Sequence, residues 1–122
     1  MKIGRAVGRA VVTIVSVFAM LGLTANAASA SSTMCKVGYL ITSCKTGTVP
    51  ASAYHTIYYR MCAASKHYAD WQVKDATNGV IVAQGRVPDG FCYSNNIYGV
   101  YAKYWGWVFN TRAGASAYLD NG

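Results

Sequence analysis

The residues best equipped for covalent chemistry are four cysteines, Cys35, Cys44, Cys62 and Cys92. Their spacing does not suit a metal. There is no C-x-x-C, and the two histidines, His55 and His67, stand alone, so no zinc site is expected. An even number of cysteines in a short exported chain reads instead as two disulfides. Three pairings are open. Cysteines near one another in sequence meet often, which favours Cys35–Cys44 with Cys62–Cys92. A bridged thiol is no nucleophile. The acid–base groups are as sparse: four aspartates (Asp70, Asp75, Asp89, Asp120), two histidines and no glutamate. Asp75 and Asp89 sit in turn sequences, where Asp serves local hydrogen bonds. Asp120 is nearly terminal, and His67 and Asp70 lie three apart in a loop-like stretch. General acid–base catalysis needs ionisable groups positioned at the reacting bond, and no G-x-S-x-G elbow, phosphate loop or carboxylate pair is present. No catalytic residue, metal or cofactor is assigned, and the chain reads as a non-enzyme.

What the chain holds in excess is aromatic surface, with ten Tyr, three Trp and three Phe. Tyr and Trp combine a large apolar body with a polar tip, which suits them to interfaces. The sharpest case is residues 97–109, IYGVYAKYWGWVF. Read as one strand, it puts Tyr98, Val100, Ala102, Tyr104 and Val108 on a core face. The opposite face then carries Tyr101, Lys103, Trp105 and Trp107, a partner-binding row for a protein or a sugar. The alternative is a strand covered on both sides, with only Lys103 reaching water.

The first thirty residues set the compartment. Lys2, Arg5 and Arg9 precede an apolar run of about 14 residues, short of the ~20 that span a bilayer. Small residues follow at A-x-A spacing. Residues 1–30 therefore read as a cleaved secretory signal peptide, cut after Ala27 or Ala30, leaving residues 31–122 as one domain and no membrane span. Without the leader the net charge of +7 falls to +4, eight basic residues against four aspartates, with no two basic residues adjacent. Nucleic-acid binding, which calls for a clustered basic patch, is not expected. Cleavage exposes Ser31, Ser32, Thr33 and Met34 as an untethered end, a second partner-binding element able to add a strand to another protein.

The elements that must position these residues are strands. Runs rich in Tyr, Thr, Val and Gly, broken by turns at even intervals, predict an all-β fold: a small antiparallel β-sandwich of about six or seven strands with two disulfides. Expected strands cover residues 37–44, 54–62, 97–109 and 115–120. In the second, Ile57, Tyr59 and Met61 share one face, and Thr56, Tyr58 and Arg60 the other. Residues 71–87, WQVKDATNGVIVAQGRV, carry the strongest local signal, a hairpin whose Asn78-Gly79 supplies positive φ.

Three features resemble a group of small secreted bacterial β-sandwich proteins: the leader followed by about 90 residues, the pattern W-x-V-x-D-x-x-N-G-x-x-V (Trp71 to Val82), and the closing ASAYLDN. Some of these are similar to the adaptor subunit of bacterial umbrella toxin particles. That resemblance implies a non-enzymatic structural adaptor joining a lectin subunit to a large toxin subunit, directed at competing bacteria. It assigns no binding residue. Small secreted four-cysteine amylase inhibitors are similar in size, but their W-R-Y turn is absent; Tyr58-Tyr59-Arg60 is the nearest string. The function expected is thus a secreted protein-binding module. The rivals are a carbohydrate- or cell-wall-binding module on Trp105 and Trp107, and a small hydrolase inhibitor or antimicrobial protein.

Overall fold

The computed structural model describes residues 30–122. Residues 1–29 of the expected leader, with the Ala27 cleavage site, lie outside them. Nine strands occur among the described residues: β1 Ser32–Lys36, β2 Cys44–Lys45, β3 Val49–Pro50, β4 Thr56–Cys62, β5 Ala69–Asp75, β6 Ile81–Val87, β7 Cys92–Tyr98, β8 Lys103–Phe109 and β9 Ser116–Asp120. They form two antiparallel sheets. One runs β1-β9-β4-β7; the other runs β2-β8-β5-β6, with β3 also paired to β8. The fold is the expected all-β sandwich with two more strands than the upper estimate. The extra pieces are the two-residue strands β2 and β3, too short to leave a periodic signal.

Alternation builds the core. Ile57, Tyr59 and Met61 of β4, Ala117 and Leu119 of β9, Trp71 and Val73 of β5, and Tyr104 and Val108 of β8 all point between the sheets and are buried. Both disulfides join neighbours in sequence. Cys35–Cys44 ties β1 to β2 across the sandwich, and Cys62–Cys92 ties β4 to β7 within one sheet. They fit an oxidising compartment.

The hairpin forms as read, from β5 and β6, with a five-residue loop. Only Gly79 is left-handed there (φ 74°). The Asp75 carboxylate accepts from Thr77 N (2.8 Å), and the Asn78 side chain accepts from Val80 N (2.9 Å), so local polar bonds set the turn.

Three expectations are corrected. Residues 37–43 are a loop, because β1 lies earlier, at Ser32–Lys36, where β9 supplies its hydrogen bonds. Residues 97–109 are not one strand. The chain leaves β7, turns at Gly99 (φ 71°) and enters β8 in the other sheet. The Tyr104 hydroxyl accepts from Tyr101 N and Ala102 N (both 3.2 Å) and fixes that crossover. Tyr98 is therefore exposed rather than in the core. Finally, Ser31, Ser32, Thr33 and Met34 are not untethered. Ser32, Thr33 and Met34 pair with Asp120, Leu119 and Tyr118. Ser31 N donates to Asn121 Oδ1 (2.7 Å), and Thr33 Oγ1 accepts from Gly47 N (2.9 Å). The segment is already the edge strand of its own sheet and has no loose strand to donate.

Candidate functional site

The outer face of the five-stranded sheet is set by parity on β8. Tyr104, Gly106 and Val108 point inward, so Lys103, Trp105, Trp107 and Phe109 point outward. Of the expected row, Lys103, Trp105 and Trp107 do share this face. Lys103 is exposed and the two indoles are half-buried. Tyr101 does not belong to it. It lies in the crossover, 75 % exposed, with its ring 4.2 Å from that of His55.

Register brings in residues that β8 alone does not reveal. Trp105 is opposite Lys74 of β5, and Trp107 lies between Gln72 of β5 and Lys45 of β2. The Lys45 ammonium stands 5.1 Å from the Trp105 ring centroid, and Lys74 stands 5.5 Å from both Trp105 and Trp107. These are cation–π distances. Phe109 continues the row, stacked on Trp107 at 4.1 Å. The alternation in WQVKD could have placed Lys74 here; the two-residue β2 gave no signal for Lys45.

Charge on this face is one-sided. Among the described residues the one ion pair is Asp70–Arg86, at the far end of the sheet from Lys103. Asp70 accepts from Arg86 Nε (2.6 Å), Arg86 Nη2 (3.1 Å) and Asn110 Nδ2 (2.9 Å). The Arg86 hydrogen bonds, helped by Asn110, hold its carboxyl below the usual carboxylate range. The Arg86 guanidinium in turn covers the Tyr68 ring at 3.9 Å. That leaves Lys45, Lys74 and Lys103 around the indoles with no carboxylate bound to them.

Other surfaces are shaped as well, among them a hollow of about 380 Å³ beside Tyr39, Ile41 and Arg112. Where the sheets part beside β6 and β7, Tyr59, Trp71 and Tyr93 line an open cleft of about 300 Å³. Burial and the neighbouring Tyr93 push the Tyr59 hydroxyl up to about 12. On the outer face of the other sheet, Met34, Tyr58, Arg60 and Tyr118 border a shallow depression of about 470 Å³.

His67 and Asp70 are not brought together. The His67 ring nitrogen Nδ1 lies 2.8 Å from the Tyr68 carbonyl, while Asp70 is held by Arg86 and Asn110. Among the described residues no three His, Cys, Asp or Glu side chains converge as metal ligands, and no helix is long and apolar enough to cross a membrane. No protein-family model matches the chain, and no curated protein matches it.

Proposed function

We propose that the protein is an exported, non-catalytic binding module that takes an acidic protein surface on the lysine–tryptophan face of its five-stranded sheet. In its most specific form it is a structural adaptor in a secreted antibacterial assembly, joining a lectin-like subunit to a large toxin subunit. The observation that carries the reading is the set Lys45, Lys74, Trp105 and Trp107: two half-exposed indoles under two ammonium groups that no carboxylate of this chain engages. Tryptophans at the centre of a patch are usual anchors of a protein interface. The uncompensated lysines supply electrostatic steering toward an acidic partner.

Capture from the culture medium, with the partner identified by mass spectrometry, tests this. Trp105→Ala and Trp107→Ala should each weaken capture by at least tenfold, a loss of about 1.4 kcal/mol or more. Capture should also weaken as salt rises, because exposed charges are screened. A purified protein that captures nothing, or that captures equally well in both variants, overturns the proposal.

A glycan platform is the second reading, favoured by two tryptophans spaced two residues apart on one strand. Sugar rings stack on open aromatic faces, and here Lys45 and Lys74 lie over them. Binding to a glycan array that is lost in Trp105→Ala would favour the glycan.

A further inference from the structure

One end of the sandwich gathers four connections, each joining a strand to the one facing it. In order across the end they are residues 37–43 (β1 to β2), 110–115 (β8 to β9), 63–68 (β4 to β5) and 88–91 (β6 to β7). The first ends in a bare apolar tip. Tyr39 is 83 % exposed, Leu40 84 % and Ile41 54 %. Leu40 is held at φ 62°, a left-handed conformation that a bulky side chain adopts only at a cost in free energy. Strain of that kind persists only where the surroundings impose it, and here they do. The Cys35–Cys44 disulfide closes the base of the loop. Val37 is buried and bonded both ways to the 110–115 connection, donating to Ala115 O (2.8 Å) and accepting from Gly114 N (3.0 Å). Thr111 N donates to Thr42 O (3.2 Å), and Ile41 N to Gly38 O (3.2 Å). The loop is clamped in a shape that keeps three adjacent apolar side chains in water.

The opposite edge of the same end repeats the feature. Phe91 is 65 % exposed, in a turn pinned by Phe91 N to Pro88 O (3.1 Å) and Ala63 N to Phe91 O (2.9 Å). Between the two apolar points stand the exposed cations Arg112 and Lys66, with Lys36 at the end of β1. The acids here are Asp89 and the already paired Asp70. The end is therefore apolar at both edges and cationic between them.

We propose that this end docks on an anionic lipid bilayer surface. Tyr39, Leu40, Ile41 and Phe91 enter the boundary between headgroups and acyl chains, while Arg112, Lys66 and Lys36 meet the phosphates. A combination of apolar insertion with basic residues is what peripheral membrane binding requires. A flat partner is favoured over a pocket by the layout. The strands β1 and β7 that mark the two edges are three strand spacings apart, roughly 14 Å, so the two apolar points touch one plane more readily than one cavity. The proposal stands apart from the lysine–tryptophan face, which lies on the side of the sandwich.

The test is co-sedimentation of the protein, expressed from the full chain and purified with both disulfides formed, with phosphatidylcholine vesicles containing or lacking phosphatidylglycerol. Wild type should pellet with the anionic vesicles and at least tenfold more weakly with phosphatidylcholine alone. Leu40→Asp should reduce anionic-vesicle binding at least tenfold. Asp tolerates the left-handed conformation better than Leu, so this variant keeps the fold, and circular dichroism checks it. Phe91→Ser should cost several-fold. Arg112→Gln should weaken only the anionic-vesicle binding. Wild type and variants carry the same N-terminal segment, so the differences among them read this end of the sandwich alone. Wild type that stays in the supernatant with both vesicle types overturns the proposal, as does Leu40→Asp that binds like wild type. If vesicles are ignored while Leu40→Asp releases a protein that Trp105→Ala still captures, the tip is a protein-docking knob and the lipid reading fails.

Discussion

Leu40 is where residue type and backbone conformation disagree most. A left-handed leucine costs roughly 1–2 kcal/mol, and glycine relieves it. Leu40→Gly should raise stability by about 1 kcal/mol in urea unfolding, after allowing for the greater freedom of glycine in the unfolded chain. It should do so while weakening vesicle binding. A destabilised variant would show that the side chain supports the fold. Tyr59 gives a second expectation at this scale. Its hydroxyl is pushed from 10.0 up to about 12 by burial and by Tyr93. The unfolded chain releases that proton first. The contribution to stability is therefore complete below pH 10 and is lost as pH rises from 10 toward 12. Unfolding midpoints across pH 9–11.5 should fall more steeply for wild type than for Tyr59→Phe, which has no proton to lose; parallel curves would count against it. Alternation placed Tyr59 on its buried face but did not reveal Tyr93 beside it, and nothing local marked Leu40. Leu40 sits in VGYLIT, a string of strand formers, and propensity does not report a loop whose geometry is imposed by the disulfide at its base and by bonds to residues 111–115.

The elements whose determinants are local were the easiest to read. The β5–β6 hairpin carries its own turn chemistry in Asp75, Asn78 and Gly79, and β4 carries its own alternation; both lie where expected. Residues 97–109 misled because a run of strand formers does not reveal that the chain changes sheets. The glycine at 99 was the one local hint, and the bonds that fix the turn come from the Tyr104 side chain. Gly106, in the middle of YWGWV, is required by the close approach of the two sheets. A Cβ there would lie 2.5 Å from Leu119 Cδ1 and 3.1 Å from Met61 Cε, and both of those side chains are fully buried. Its N–H donates to Thr46 Oγ1 (2.8 Å), which anchors the edge of β8. Gly106→Ala should cost about 1–3 kcal/mol by overpacking, read as a lower midpoint in thermal or urea unfolding. No change would mean that Leu119 and Met61 have room to move.

For the whole molecule, the outward indoles and the apolar end lie on different surfaces, one on a sheet face and one across its loops. The two activities should separate cleanly. Trp105→Ala should leave vesicle binding within twofold of wild type, and Leu40→Asp should leave protein capture within twofold, because sites without shared contacts behave additively. Losses that track each other would mean a single interface or a shared folding defect. At this scale the sandwich class and both disulfides were legible, since composition and cysteine number act globally. Lys103 was legible too, but Lys45 and Lys74 were not, because they meet Trp105 only through pairings that span 60 and 31 residues of chain. The same long spans govern how the molecule is made. Among the described residues β5–β6 is the one pair of consecutive strands that are also hydrogen-bonded neighbours; every other pairing joins distant segments. Such topologies search slowly, on the millisecond-to-second scale. The first hairpin can close in microseconds, but the strand that completes the four-stranded sheet is the last of the nine described. β9 inserts between β1 and β4, both of them synthesised long before it. Until residues 116–120 emerge, β1 has no hydrogen-bonding partner in its sheet. Completion of this sheet thus waits on residues 116–120, and a chain truncated before residue 116 should remain open, its cysteines free to pair wrongly.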